Sequence, residues 1–130
     1  MSTRTTLRPY PVITNGVMAS NITSSPTILQ SLSMVSYAVS WSGSSPVGTL
    51  SVQVSNDYAL TPAGAVENAG TWTTITFQIN GVPTQTAPVT GNSGTGFIDI
   101  DATAAYAMRL IYQATSGTGV MNAVVSGKVA

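Results

Sequence analysis

Asp99 and Asp101 are the most closely spaced carboxylates in the sequence, in a stretch from Phe97 to Asp101 that alternates like a strand. In a strand, a spacing of two puts both side chains on one face. There they could serve glycoside hydrolysis or hold a hard cation through oxygen ligands. Both chemistries ask for more than the pair offers. A glycosidase needs its carboxylates on either side of a substrate, and a calcium site recruits further carboxylates, of which only Asp57 and Glu67 remain. We therefore expect no catalytic residue, no metal ligand and no cofactor, and read Asp99 and Asp101 as solvated or paired with Arg109.

The aromatic residues raise a second chemistry. Trp41, Trp72, Tyr58 and Tyr106 could form a platform on which a sugar ring stacks. Trp41 lies in strand alternation and reads as core, which leaves Tyr58, Trp72 and Tyr106 as the candidate sugar contacts. Gly91-Asn92-Ser93-Gly94-Thr95-Gly96 resembles a phosphate loop only in its glycines; it lacks the lysine and the following helix and reads as a flexible connection. Asn21-Ile22-Thr23 matches the N-glycosylation acceptor, but the N-terminal residues contain no apolar core of a secretory signal, so the match is read as chance.

The rest of the composition narrows the field by absence. With no His and no Cys, a Ser-His-Asp or Cys-His nucleophile, an imidazole or thiolate zinc site and a disulfide framework are all excluded. The basic residues are Arg4, Arg8, Arg109 and Lys128, too few for the several phosphate contacts of a nucleic-acid site. Charged residues make up 6% of the chain, against roughly 25% in an average soluble domain. Pro9 to Asn56 carries no charged side chain at all, yet Ser, Asn and Pro interrupt it too often for the ~18 apolar residues of a membrane-spanning helix. Hydroxyls take the place of charge: 19 Thr and 16 Ser among 130 residues. A net charge of zero on such a surface favours association, so it suits a protein covered by neighbours.

The elements that would position these residues are strands. Tyr37, Val39 and Trp41 alternate with Ser36, Ala38 and Ser40, and Leu50, Val52 and Val54 with Ser51, Gln53 and Ser55. The turn-rich segment 42–48 predicts a hairpin between these two strands. A second hairpin is expected where 107–114 and 120–129 flank Thr115-Ser116-Gly117-Thr118-Gly119. Thr71 to Ile79 reads as one strand with Trp72 out of phase, Phe97 to Asp101 as another, and 81–96 as loop.

Residues 1–30 differ. Proline and asparagine punctuate short apolar pairs, which predicts an extended arm preceding a β-sandwich domain at 31–130, with a strand near 27–32. An arm of this kind buries little against its own domain and reaches a neighbour instead, through Pro9, Tyr10, Val12, Ile13, Val17 and Met18; its removal should leave the domain folded. Six to eight short strands with Gly/Ser/Pro turns point to an all-β, antiparallel β-sandwich, with jelly-roll-like connections as one form.

A set of motifs adds to this. Trp41-Ser42-Gly43, Ser55-Asn56-Asp57, Trp72-Thr73, Arg109-Leu110-Ile111-Tyr112, Ser116-Gly117-Thr118-Gly119 and Ser126-Gly127-Lys128 together resemble small β-sandwich structural proteins of bacteriophage virions, over roughly residues 34–130. The resemblance implies a non-enzymatic role in the virion, whether on the capsid surface, at a vertex or in the tail. A capsid decoration or cement protein is the first expectation. Its partners would be the major capsid protein and copies of itself in a homo-oligomer, a trimer being one form, with no nucleic acid and no membrane insertion. A receptor- or carbohydrate-binding module of a spike, fibre or tail is the alternative.

Overall fold

The computed structural model describes residues 6–29, 32, 34–79, 82–100 and 104–128. In chain order its strands are β1 (Thr6–Val17), β2 (Ile22–Thr23), β3 (Thr27–Ile28), β4 (Met34–Ser55), β5 (Ala59–Leu60), β6 (Val66–Asn68), β7 (Thr73–Thr74), β8 (Phe77–Ile79), β9 (Val82–Thr84), β10 (Ala87–Val89), β11 (Ser93–Ile100) and β12 (Ala107–Lys128). The fold is all-β and every pairing is antiparallel. No helix among the described residues is long and apolar enough to cross a membrane.

β4 and β12, 22 residues each, form a continuous ribbon from Met34 opposite Lys128 to Ser55 opposite Ala107. At ~3.3 Å per residue, β12 between Met108 and Val125 would span about 55 Å if straight. Yet Tyr10, which pairs with Val125, donates its hydroxyl hydrogen to Thr27, which pairs with Met108, over 3.3 Å. The ribbon is therefore folded back on itself, and each long strand serves both layers. One layer runs β1, the C-terminal half of β12, the N-terminal half of β4, β11, β8 and β9; the other has β2 and β3 on the first half of β12, and β7 and β10 on the second half of β4.

The two hairpins expected at 42–48 and 115–119 do not form. Those segments face each other across the ribbon, and their glycines bend a strand without reversing it. Gly117 has φ +79°, and a Cβ there would strike the Ser45 carbonyl oxygen; a Cβ at Gly43 would meet the Thr118 carbonyl. Two register shifts in β12, around Ser116, accommodate the corner. Ser45, at φ 50°, is held there by Asn92, whose Oδ1 accepts from the Ser45 N–H at 2.9 Å and its hydroxyl at 3.2 Å.

The N-terminal segment is also corrected. β1 pairs with β12 from Thr6 opposite Lys128 to Val17 opposite Val120, and Val12, Ile13 and Met18 are buried in the same core as Tyr37, Leu110 and Met121. A period-two pattern broken by proline hides this, because Pro9 and Pro11 sit on an edge strand, where a missing N–H is harmless, and bulges between Leu7 and Gly16 disturb the alternation. Residues 6–29 thus belong to the sandwich and do not form a separate arm. Among the described residues, the strand near 27–32 is confined to β3.

Two smaller differences follow. The expected strand 71–79 divides, with β7 pairing β4 and β8 pairing β11, and the expected loop 81–96 holds β9, β10 and the start of β11. Between the layers lies one cluster that takes Val35, Tyr37, Val39 and Trp41 from one half of β4 and Leu50 and Val52 from the other. At roughly 1.5–3 kcal/mol per fully buried large apolar side chain, this cluster is the main stabilising element of the fold.

Candidate functional site

The outer face of β12, β4 and β11 is built by alternation, and the bulged edge strand β1 extends it. Inward go Met121, Ala123 and Val125 of β12, Val39 and Tyr37 of β4, and Ile98 of β11, all buried. The residues between them point out, and the register aligns them in rows. One row crosses four strands as Pro11, Val124, Ala38 and Phe97. All four are exposed, Phe97 at 64% and Val124 at 37%. On one side lies Asn122, Ser40 and Thr95; on the other Ser126, Ser36 and Asp99, where the Ser36 and Ser126 hydroxyls bond over 3.2 Å. Lys128 lies one exposed position beyond Ser126. The face is thus an apolar bar between hydroxyl rows, with Asp99 and Lys128 toward one end and Arg8 exposed in the β1 bulge across from Ser126. Shallow depressions flank the bar, one of about 420 Å³ lined by Pro11, Ala38, Ser40, Asn122 and Val124.

The alternation from Phe97 to Asp101 puts Phe97 on the face opposite Ile98 and Ile100, and the structure agrees; nothing in the sequence marks Val124, Ala38 and Pro11 as its neighbours. The signal was the register, since an apolar residue on an outward position shows as a row only once neighbouring strands are paired. Of the carboxylate pair, Asp99 is exposed and Asp101 lies outside the described residues. Arg109 does not reach Asp99. Its Nε–H donates to Gln53 Oε1 at 2.9 Å, its directly opposite neighbour, and its guanidinium carbon stands 4.2 Å from the centre of the Trp72 ring. Partial burial holds the Arg109 pKa below its ordinary value.

The residues expected to touch sugar do not share an open platform. Tyr58 is buried and packs at a tilt against Trp72, with ring centres 5.6 Å apart. Trp72 is half-buried, donates its Nε1–H to the Ala69 carbonyl at 2.8 Å, and offers a ring face to Arg109. Tyr106 is exposed, but what it contributes to the neighbouring turn is its N–H, given to Asn56 Oδ1 at 2.9 Å. Asp57 closes the same cluster: its Oδ1 accepts from the Thr71 N–H and the Ser55 hydroxyl, both at 2.7 Å. These bonds, that of Thr71 first, hold its carboxyl below the usual range. The Ser-Asn-Asp, Trp-Thr and Arg-Leu motifs therefore meet at one corner as a loop clasp.

The expected arm contacts divide. Pro9, Tyr10 and Val17 are exposed on or beside the sheet edge, whereas Val12, Ile13 and Met18 are core and are corrected as interface residues. No cluster of three or more metal-ligating side chains exists among the described residues.

The arrangement defines an antiparallel β-sandwich-like protein with an outer face that carries few charges. Among solved structures, the crystal structure of the SPBc2 prophage-derived protein YomS is similar, with a TM-score of 0.62, 11% identity, and 97% of this chain and 96% of that chain covered. At that identity the likeness concerns the fold. No family model and no curated protein matches the chain.

Proposed function

We propose that the protein is a non-enzymatic structural component of a bacteriophage particle, with capsid decoration or cementing as its specific role. The observation that carries this reading is the outer face: an apolar bar, Pro11, Val124, Ala38 and Phe97, between rows of hydroxyls. Burying it desolvates few ions, so the contact avoids the usual penalty of burying charge. The phage-virion motifs and a fold neighbour of prophage origin support the particle setting. On a particle, a modest contact repeated in many copies becomes firm attachment.

The sugar-binding alternative lacks this support, since Tyr58 is buried and Trp72 is engaged by Arg109. The test is co-purification with intact particles at a fixed ratio to the major capsid protein, and reduced occupancy for Phe97→Asp. Loss of occupancy without loss of folding is the expected result; a protein absent from particles overturns the reading.

A further inference from the structure

We propose that the occupant of the outer face is a second copy of the chain, packed face to face about a two-fold axis that runs along β4. The inference rests on reading this face as a contact surface and makes its partner a second copy, so that in a particle the face serves the contact between copies and other surfaces meet the coat. β4 lies between β12 and β11. A two-fold along it lays the β11 of each copy over the β12 of the other and keeps the strands aligned, the common arrangement of packed sheets.

The side chains then match. Phe97 of one copy falls on Val124 of the second, at the mouth of the depression lined by Pro11, Ala38, Ser40, Asn122 and Val124, while Ala38 meets its own equivalent on the axis, where a small side chain is needed. The charges match as well. Asp99 shares a row with Ser126, and Lys128 is the next exposed residue along β12, about 7 Å further. Each Asp99 is thus within a lysine's reach of the second copy's Lys128, giving two reciprocal pairs. Within one copy the two residues line the same depression, on either side of β4, but make no ion pair among the described residues.

Size sets the strength. The axis along β4 superposes three strands, β12, β4 and β11, which at ~4.8 Å spacing over the stretch from Val120 to Lys128 cover about 400 Å² per copy. Roughly 800 Å² in total is below the usual range of a stable interface and fits a weak contact. The dimer is therefore concentration-dependent in solution and is reinforced where copies are held together on a particle.

The test uses the full chain in sedimentation velocity from about micromolar to millimolar concentration, with circular dichroism to verify folding. Wild type dimerises reversibly. Phe97→Asp weakens the dimer at least tenfold; Asp99→Lys or Lys128→Asp alone weakens it severalfold, and the double exchange restores it. Since the chain has no cysteine, Ala38→Cys gives a unique thiol on the axis, which a bismaleimide of about 10 Å cross-links to its equivalent, matching the spacing of packed sheets. Val66→Cys, exposed on the separate β5–β6 hairpin, gives no cross-link. A wild type monomeric at millimolar concentration, a dimer indifferent to Phe97→Asp, or equal cross-linking at both thiols overturns the proposal. These outcomes are separable from those of the functional test: a monomer whose Phe97→Asp variant is lost from particles assigns the face to the coat, while a dimer that never enters particles refutes the particle role and leaves the dimer standing.

Discussion

Trp41 is a core residue whose indole packs over Gly94, its partner on β11. A Cβ at Gly94 would collide with the indole ring, so this glycine, read in sequence as part of a flexible connection, is the recess that receives a large side chain. Alternation made Trp41 legible as core; nothing local distinguishes a glycine that admits an indole across a sheet from one that turns the chain. Trp72 was illegible for a related reason, because its surroundings, Arg109, Tyr58 and Ala69, come from distant or irregular segments. Arg109→Ala should lower stability by about 1 kcal/mol through loss of the guanidinium–indole contact, read as a fall in midpoint on urea denaturation, with Arg109→Lys recovering part of it. Asp57 gives a pH signature. Its folded pKa lies below the unfolded value, so its stabilisation is complete above the ordinary carboxylate range and is lost as the pH falls through the folded pKa. Asp57→Asn should therefore melt below wild type at neutral pH, and the two should converge in acid; a gap independent of pH would show that charge is not what the loop uses.

At the scale of elements, strand content was readable and connectivity was not. Hydroxyl–apolar alternation marks 36–41, 50–55 and 97–100 as strands, but a run of Gly, Ser and Pro signals a change of direction without its angle. The corners at 42–48 and 115–119 could be hairpins or bends, and the difference lies in long-range pairing of β4 with β12. Gly117→Ala tests the bend. With φ +79° and the Ser45 carbonyl in the path of a Cβ, the substitution should cost roughly 1–3 kcal/mol, measured by thermal or urea melting. β1 tests the corrected N-terminus. Deleting residues 1–26 removes Val12, Ile13 and Met18 from the core and the Ser24 hydroxyl that accepts the Leu110 N–H at 2.8 Å. At roughly 1.5–3 kcal/mol for each of three side chains, the loss rivals the 5–15 kcal/mol total of a typical domain. The truncated chain should show no cooperative melt. A folded truncation would restore the view of residues 1–30 as a detachable arm.

For the whole molecule, the 6% of charged residues is explained by where the hydroxyls lie. Ser36, Ser40, Thr95 and Ser126 occupy outward positions where a solitary domain would carry Lys and Glu, and they border an apolar bar that spans four strands. Composition alone raised the expectation of association; the face proposed for it became visible only with the register. The most direct measurement is the composition of purified particles from cells expressing the wild-type chain. Quantitative mass spectrometry should find the protein at a fixed, near-integral ratio to the major capsid protein through successive gradients, with the ratio falling for Phe97→Asp. Its absence from particles, or a trace amount that declines with each purification step, would contradict the account.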